Sequence, residues 1–324
     1  MKTAKSIVCT LFEADYHNGV AALINSLSVR GFTGVVFVGY RGELPSWVLI
    51  RSSIAQSGCL SLALERFEVL FIEVPTGRSL TNLKPEFMLD VLGRVSGQTE
   101  YIFFFDADVF ISAPWQFFEE WAQCGLALIA DGNSPMPKNH PVRVAWRRHF
   151  TPHGFRFTVG NDYYFNGGFC GISRSRFWIL DAWAKVQSIM AESVSLNLPI
   201  SLPGAPEWQR LRTFPFYLTD QDALNIVADI EKVDISAIGS EGMGWKLPAD
   251  YMQHACGGNK PWRGRYVRRA LRGESPVNMD SLFWEHAAEP IALVPDHEIR
   301  RIKRHISIAR RIAPIGAMLN VLRW

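Results

Sequence analysis

The chain has 324 residues, 48% of them hydrophobic and 20% charged, a composition that excludes a disordered chain and a coiled coil. Thirty-four Lys+Arg against 31 Asp+Glu leave a net charge of +3, too little for a general polyanion binder, so no nucleic-acid partner is expected. The five cysteines (Cys9, Cys59, Cys124, Cys170 and Cys256) are widely spaced with no C-x-x-C pair. This argues against a disulfide framework or a zinc knuckle and fits a reducing compartment.

The apolar run after the basic residues 1–5 breaks at Glu13, too soon for a signal-peptide core. It reads as a first strand, 6–12. A helix is predicted over 20–29, where Ala21, Ala22, Ile24 and Leu27 share a face. Strands follow at 34–38 and 67–73, and helices at 45–56 and 85–95. Residues 101–105 and 126–130 are wholly apolar strands. Such strands between amphipathic helices mean a sheet covered on both faces, hence mostly parallel and α/β. Residues 131–162, with four prolines and Arg143, Arg147, Arg148 and Arg156, read as a long, partly helical excursion of the kind that serves as a lid or binding loop. Its arginines either line an anionic site or solvate the loop. A strand at 169–173, a helix at 176–193, a helix at 219–228 opened by a Thr-x-x-Asp capping box, and a strand at 233–238 complete the pattern. No run of about 18 uncharged apolar residues occurs, and the chain is expected to be cytoplasmic.

Four strings carry chemistry. Asp106-Ala107-Asp108 directly follows the strand 101–105, at the edge where open α/β sheets bind ligands. Two carboxylates there invite a divalent cation, and oxygen ligands suit Mg²⁺ or Mn²⁺; a helix cap or a solvated acidic turn is the plainer alternative. Asn166-Gly167-Gly168 precedes the strand 169–173, with glycines for close backbone approach and an amide for hydroxylated ligands; an ordinary turn uses the same residues. Asp220-Gln221-Asp222 opens a helix, where acidic residues are favoured by the dipole alone, yet a carboxylate there can also stabilise a developing cation. The string from His254 to Trp262 combines a metal-competent imidazole, Gly257 and Gly258, and Lys260 as a point charge for phosphate.

These strings, in this order, resemble the retaining GT-A glycosyltransferases of the glycogenin and bacterial lipopolysaccharide galactosyltransferase group, glycosyltransferase family 8. The resemblance covers roughly residues 6–263. It implies a Rossmann-like mixed, mostly parallel sheet with helices on both faces in a catalytic domain 1–263, followed by a basic helical extension 264–324. It also implies that Asp106, Asp108 and His254 bind Mn²⁺ or Mg²⁺ on the diphosphate of a UDP-sugar, with Ala107 in the same turn. Lys260 and the Gly257 backbone would hold phosphate. Asn166, Gly167, Gly168, Asp220, Gln221 and Asp222 would surround the donor sugar, with Asn166, Gln221 and Asp222 nearest the chemistry. Thr10, Glu13, Asp15 and Tyr16 would hold the nucleoside, Tyr16 by stacking, and Lys84 would approach the donor. The implied reaction is metal-dependent hexosyl transfer with retention to a glycan or lipid-linked acceptor.

The tail 298–324 interleaves Arg300, Arg301, Lys303, Arg304, Arg310 and Arg311 with Ile299, Ile302, Ile306 and Ile312. It suits either an anionic membrane surface, as in a peripheral protein of the inner face, or a helix packed on the domain with a basic outer side. Two other functions compete: a nucleotidyltransferase, for which no Gly-rich basic signature stands near the N-terminus, and a sugar-nucleotide-binding scaffold without turnover.

Overall fold

A computed structural model describes residues 4–54, 59–95, 97–158, 161–193, 213–246 and 251–321. The chain alternates β1 (Ser6–Glu13), α1 (His17–Val29), β2 (Val35–Arg41), α2 (Ser46–Arg51), β3 (Ser53–Ile54), β4 (Leu60–Ala63), β5 (Glu68–Glu73) and α3 (Lys84–Arg94). It continues with β6 (Tyr101–Phe105), β7 (Val109–Ile111), α4 (Trp115–Cys124), β8 (Leu126–Ile129), α5 (Pro141–Phe150), β9 (Phe169–Ser173), α6 (Trp178–Ser193) and α7 (Thr219–Ala228). It ends with β10 (Ile235–Ile238), β11 (Met252–His254), α8 (Tyr266–Ala270), α9 (Asn278–Glu285) and α10 (Asp296–Val321).

Nine strands form one sheet in the order β10-β8-β9-β6-β1-β2-β5-β4-β3. The centre is parallel: β1 runs parallel to both β2 and β6, and β2 to β5. β9 is antiparallel to β6 and β8, and β4 to β5 and β3, so the sheet is mixed. The period of two divides β1 between two cores. Ile7, Cys9 and Leu11 pack with α3, α6 and α7, while Val8 and Phe12 pack with α1 and α4 on the other face. All five cysteines are free.

Several expectations are corrected. The helix expected over 45–56 stops at Arg51, because Ser52 turns extended and Ser53–Ile54 joins the sheet edge; residues 55–56 lie outside the described residues. The α7 cap is Leu218, not Thr219. The Asp222 carboxylate accepts the Leu218 N–H, while the Thr219 hydroxyl donates to Asn82 Oδ1 at 2.8 Å. Arg143 neither lines an anion site nor solvates a loop: it is buried, donating to Asp229 Oδ2 at 2.7 Å and to Asn161 O at 2.9 Å. That buried pair ties α5 to the end of α7. The tail packs on the domain. Ile299, Ile306, Ala309 and Ala313 of α10 join Tyr266, Ala270, Phe283 and Trp284 in a third core, which also takes Ala22 of α1 and Phe110 of β7. The arginines of α10 and Lys303 remain exposed. Among the described residues no helix is long and apolar enough to cross a membrane.

Candidate active site

Strand β6 is entirely buried and delivers Asp106 to the carboxyl edge of the sheet. The Asp106 N–H donates to Gly168 O at 2.8 Å, which ties the acidic turn to the Asn-Gly-Gly segment. Strand β11 returns antiparallel to β7 with His254 opposite Val109, and Ala255 N–H donates to Asp108 O at 3.0 Å. The imidazole therefore lies over the acidic turn. His254 Nε2 stands 3.2 Å from Asp108 Oδ1 and 3.9 Å from Asp106 Oδ2. One ligating atom from each of the three residues lies within 4.8 Å of the others. Two glycines make this closeness possible. A Cβ on Gly19 of α1 would stand 2.0 Å from Ala107 O, and one on Gly168 would stand 2.6 Å from His254 Cε1.

Two buried lysines flank the carboxylates. Lys84, 1% exposed, reaches Asp106 Oδ1 and Asp220 Oδ2 at 3.0 Å each and donates to Gly167 O at 2.7 Å. Lys260 pairs with Asp108 Oδ2 and donates to Ala255 O at 2.7 Å. Burial pushes the Asp108 carboxyl up, but His254 and Lys260 outweigh it and hold it well below the usual carboxylate range. Burial raises Asp106, and the facing Asp108 and Asp220 add to that against Lys84 and His254. Burial would lower His254, yet Asp108 outweighs it and holds the imidazole well above its ordinary value. The turn is thus a charge lattice in which His254 and Lys260 pull the Asp108 carboxyl down while burial and the neighbouring carboxylates push Asp106 up.

Beside it, the Gln221 carbonyl oxygen accepts from the Gly167 N–H at 2.9 Å and lies 3.3 Å from Asn166 Nδ2; the Asn166 carbonyl accepts from the Gly168 N–H at 2.8 Å. Asp222 faces inward: Tyr164 OH donates to Oδ1 at 2.7 Å and Leu218 N–H to Oδ2 at 2.8 Å. Burial pushes its carboxyl up to about 8, against the pull of those two donors. Sequence reasoning missed Asp131. It is buried at the end of β8, and its Oδ2 accepts from Asn166 Nδ2 at 2.8 Å. The signal was available, since a carboxylate immediately after a wholly apolar strand is the feature that marks Asp106.

The nucleoside candidates are less uniform. Thr10 is fully buried in β1, and its hydroxyl has no hydrogen-bond partner among the described residues. Glu13 is exposed and held by Arg41 Nε at 2.9 Å. Ala14, between the two acids, adopts a left-handed φ of 51°. Asp15 accepts from Arg263 at 2.7 and 2.8 Å and from Trp262 Nε1 at 3.0 Å. Tyr16 lies edge-on to Trp262, and its ring face carries Lys260 Nζ at 5.1 Å. Gly257, at φ 85°, is exposed with open space around its Cα.

The donor set of Asp106, Asp108 and His254 fits a divalent cation of the Mg²⁺ or Mn²⁺ kind. No family model and no curated protein matches the sequence. The nine-stranded mixed sheet, with its acidic turn after β6, is the GT-A fold of glycosyltransferases. One structure similar to it is WbbM, a bifunctional glycosyltransferase in apo form, at TM-score 0.51 and 13% identity; the match covers 94% of this chain and 52% of that one. Another is an active-site mutant of LgtC, at TM-score 0.50 and 14% identity, covering 92% of this chain and 99% of that one. The chain thus spans about half the length of WbbM.

Proposed function

We propose that this protein is a metal-dependent, retaining glycosyltransferase that moves a hexose from a UDP-sugar to a hydroxyl of a glycan or lipid-linked acceptor. The observation that carries this reading is convergence. Asp106, Asp108 and His254 come from segments far apart in sequence, yet bring ligating atoms within 4.8 Å of one another at the carboxyl edge of a GT-A sheet, with Lys260 paired to Asp108. A divalent cation held by Asp106, Asp108 and His254 would neutralise charge on the leaving diphosphate. Lys260, released from Asp108, would hold a phosphate, with Gly257 N–H beside it.

Asn166, Gln221, Asp220 and Asp131 then border the donor sugar. The Gln221 carbonyl and the carboxylates at this edge would stabilise positive charge developing at the anomeric carbon. The acceptor oxygen bonds that carbon as the bond to phosphate breaks, and the acceptor proton passes to the departing phosphate oxygen. Lys84 keeps Asp106 and Asp220 from repelling one another. Tyr16 would stack on the base, with Thr10, Glu13 and Asp15 about it. The exposed basic side of α10, with Ile315, Met318 and Leu319 exposed near its end, supports attachment to an anionic membrane surface.

One observation favours a second reading, a binding scaffold that needs no metal: Lys84 and Lys260 already neutralise the two carboxylates. Thermal unfolding against UDP-, GDP- and CMP-sugars, with Mn²⁺ or EDTA, separates the two. A shift that requires both Mn²⁺ and a UDP-sugar, with slow donor hydrolysis, supports the enzyme. A shift that persists in EDTA, without hydrolysis, supports the scaffold.

A further inference from the structure

A cleft of about 650 Å³ opens along the segment that carries Lys260. Its walls hold six cations, Lys260, Arg263, Arg265, Arg268, Arg269 and Arg272, against two carboxylates, Asp15 and Glu274. The excess of four exceeds the net charge of the entire chain, +3. The carboxylates are spoken for: Asp15 by Arg263, and Glu274 by Arg269 at 3.0 Å. Lys260 turns inward to Asp108. Arg265 and Arg268 are exposed, and among the described residues neither side chain has a hydrogen bond or an ion pair.

Arg268 lies in the last turn of α8, where a cation is favoured, but local structure gives no reason for Arg265. Arg265 sits at φ 61°, where glycine or asparagine is the favoured choice. It precedes the first turn of α8, where a cation gains nothing from the helix. The helix itself is pressed against α10: a Cβ on Gly316 would stand 2.3 Å from Ala270 O. The arginines therefore project from a fixed support. Trp262 adds an aromatic wall, the kind of surface on which a sugar ring rests. Guanidinium forks match phosphate oxygens two at a time, and the volume is that of a small-molecule site.

We propose that this cleft binds a saccharide bearing more than one phosphate, gripped by Arg265 and Arg268 and backed by Trp262. The cleft shares Asp15 and Lys260 with the proposed donor site, so this inference extends that reading, but the grip it assigns to Arg265 and Arg268 uses residues that the donor site does not. The test is calorimetric titration of the full chain in EDTA with fructose 1,6-bisphosphate, with unphosphorylated fructose and with phosphatidylglycerol vesicles. The bisphosphate should bind, fructose should not, and affinity should fall as salt rises. Arg265→Ala with Arg268→Ala should weaken binding about tenfold or more with an unchanged melting curve, since both side chains are exposed. UDP added to saturation should not displace the bisphosphate; full displacement would place the ligand on the Lys260 phosphate position of the donor site and overturn the proposal. No binding by wild type at millimolar bisphosphate, full binding by the double variant, or binding to vesicles alone would also overturn it.

Discussion

Lys84→Met tests the charge lattice directly. The ammonium is 1% exposed, lies 3.0 Å from both Asp106 and Asp220, and donates to Gly167 O. Methionine keeps most of the volume over the Phe104 ring, which now carries the ammonium at 5.2 Å, so little cavity is created. What is lost is the only cation within reach of both carboxylates among the described residues. Breaking a buried ion pair from one side costs about 3–5 kcal/mol. A chain of 324 residues unfolds with an entropy of about 2.1 cal/mol/K per residue, or about 0.7 kcal/mol/K, so the melting point should drop by about 4–7 °C. Urea unfolding followed by circular dichroism reads the same quantity as a lower midpoint at constant slope. Adding Asp220→Asn removes one stranded charge and should recover part of the loss. A Lys84→Met protein within about 0.5 kcal/mol of wild type, or a double variant no better than the single, would refute the lattice.

Asp222 should make stability depend on pH. Its buried carboxyl titrates near 8 rather than 3.8, so the folded state holds a proton that the unfolded chain has released. That stabilisation is complete below about pH 4 and is lost as pH rises through 8, with a slope of at most about 1.4 kcal/mol per unit. Asp222→Asn should flatten the profile, and parallel profiles for variant and wild type would contradict the assignment. Gly168→Ala places a methyl 2.6 Å from His254 Cε1 and 2.8 Å from Asn166 Oδ1. It should cost about 1–3 kcal/mol and abolish any Mn²⁺-dependent melting shift; a retained shift would show that the imidazole is not a ligand. Gly316→Ala meets the Ala270 carbonyl, a backbone atom that cannot rotate away, and should destabilise by a similar amount in thermal melts. A neutral result would mean that α8 and α10 are free to part.

The central strands were legible because each is a short, wholly apolar run between amphipathic helices. The acidic turn was legible because it follows such a run. Strands β3, β4, β7 and β11 have only two to four residues each, too few for a period to register. The pairing that places His254 opposite Val109 joins segments with no local sign of each other. Helix α4 was missed although Pro114 marks its start. The role of Lys84 had no local signal, since the carboxylates that flank it belong to distant segments, and only the folded chain brings Asp106 and Asp220 together. The burial of Arg143 against Asp229 was hidden for the same reason. Sequence reading treats an arginine in a polar loop as solvated, and here a partner outside the loop reversed that.

The two halves of the acidic centre are made at different times. Asp106 and Asp108 leave the ribosome about 150 residues before His254 and Lys260, a lag of about 7–30 s at ordinary synthesis rates. During that interval β6, β1, β2 and β5, which lie side by side in that order, are already present, so the parallel centre of the sheet can form. Asp106 has Lys84 from the start, but Asp108 has no counter-charge until β11 docks on β7. Completion of the centre is therefore a late event in the life of each molecule. A nascent chain stalled before residue 252 would carry a nearly finished sheet with an uncompensated carboxylate at its edge.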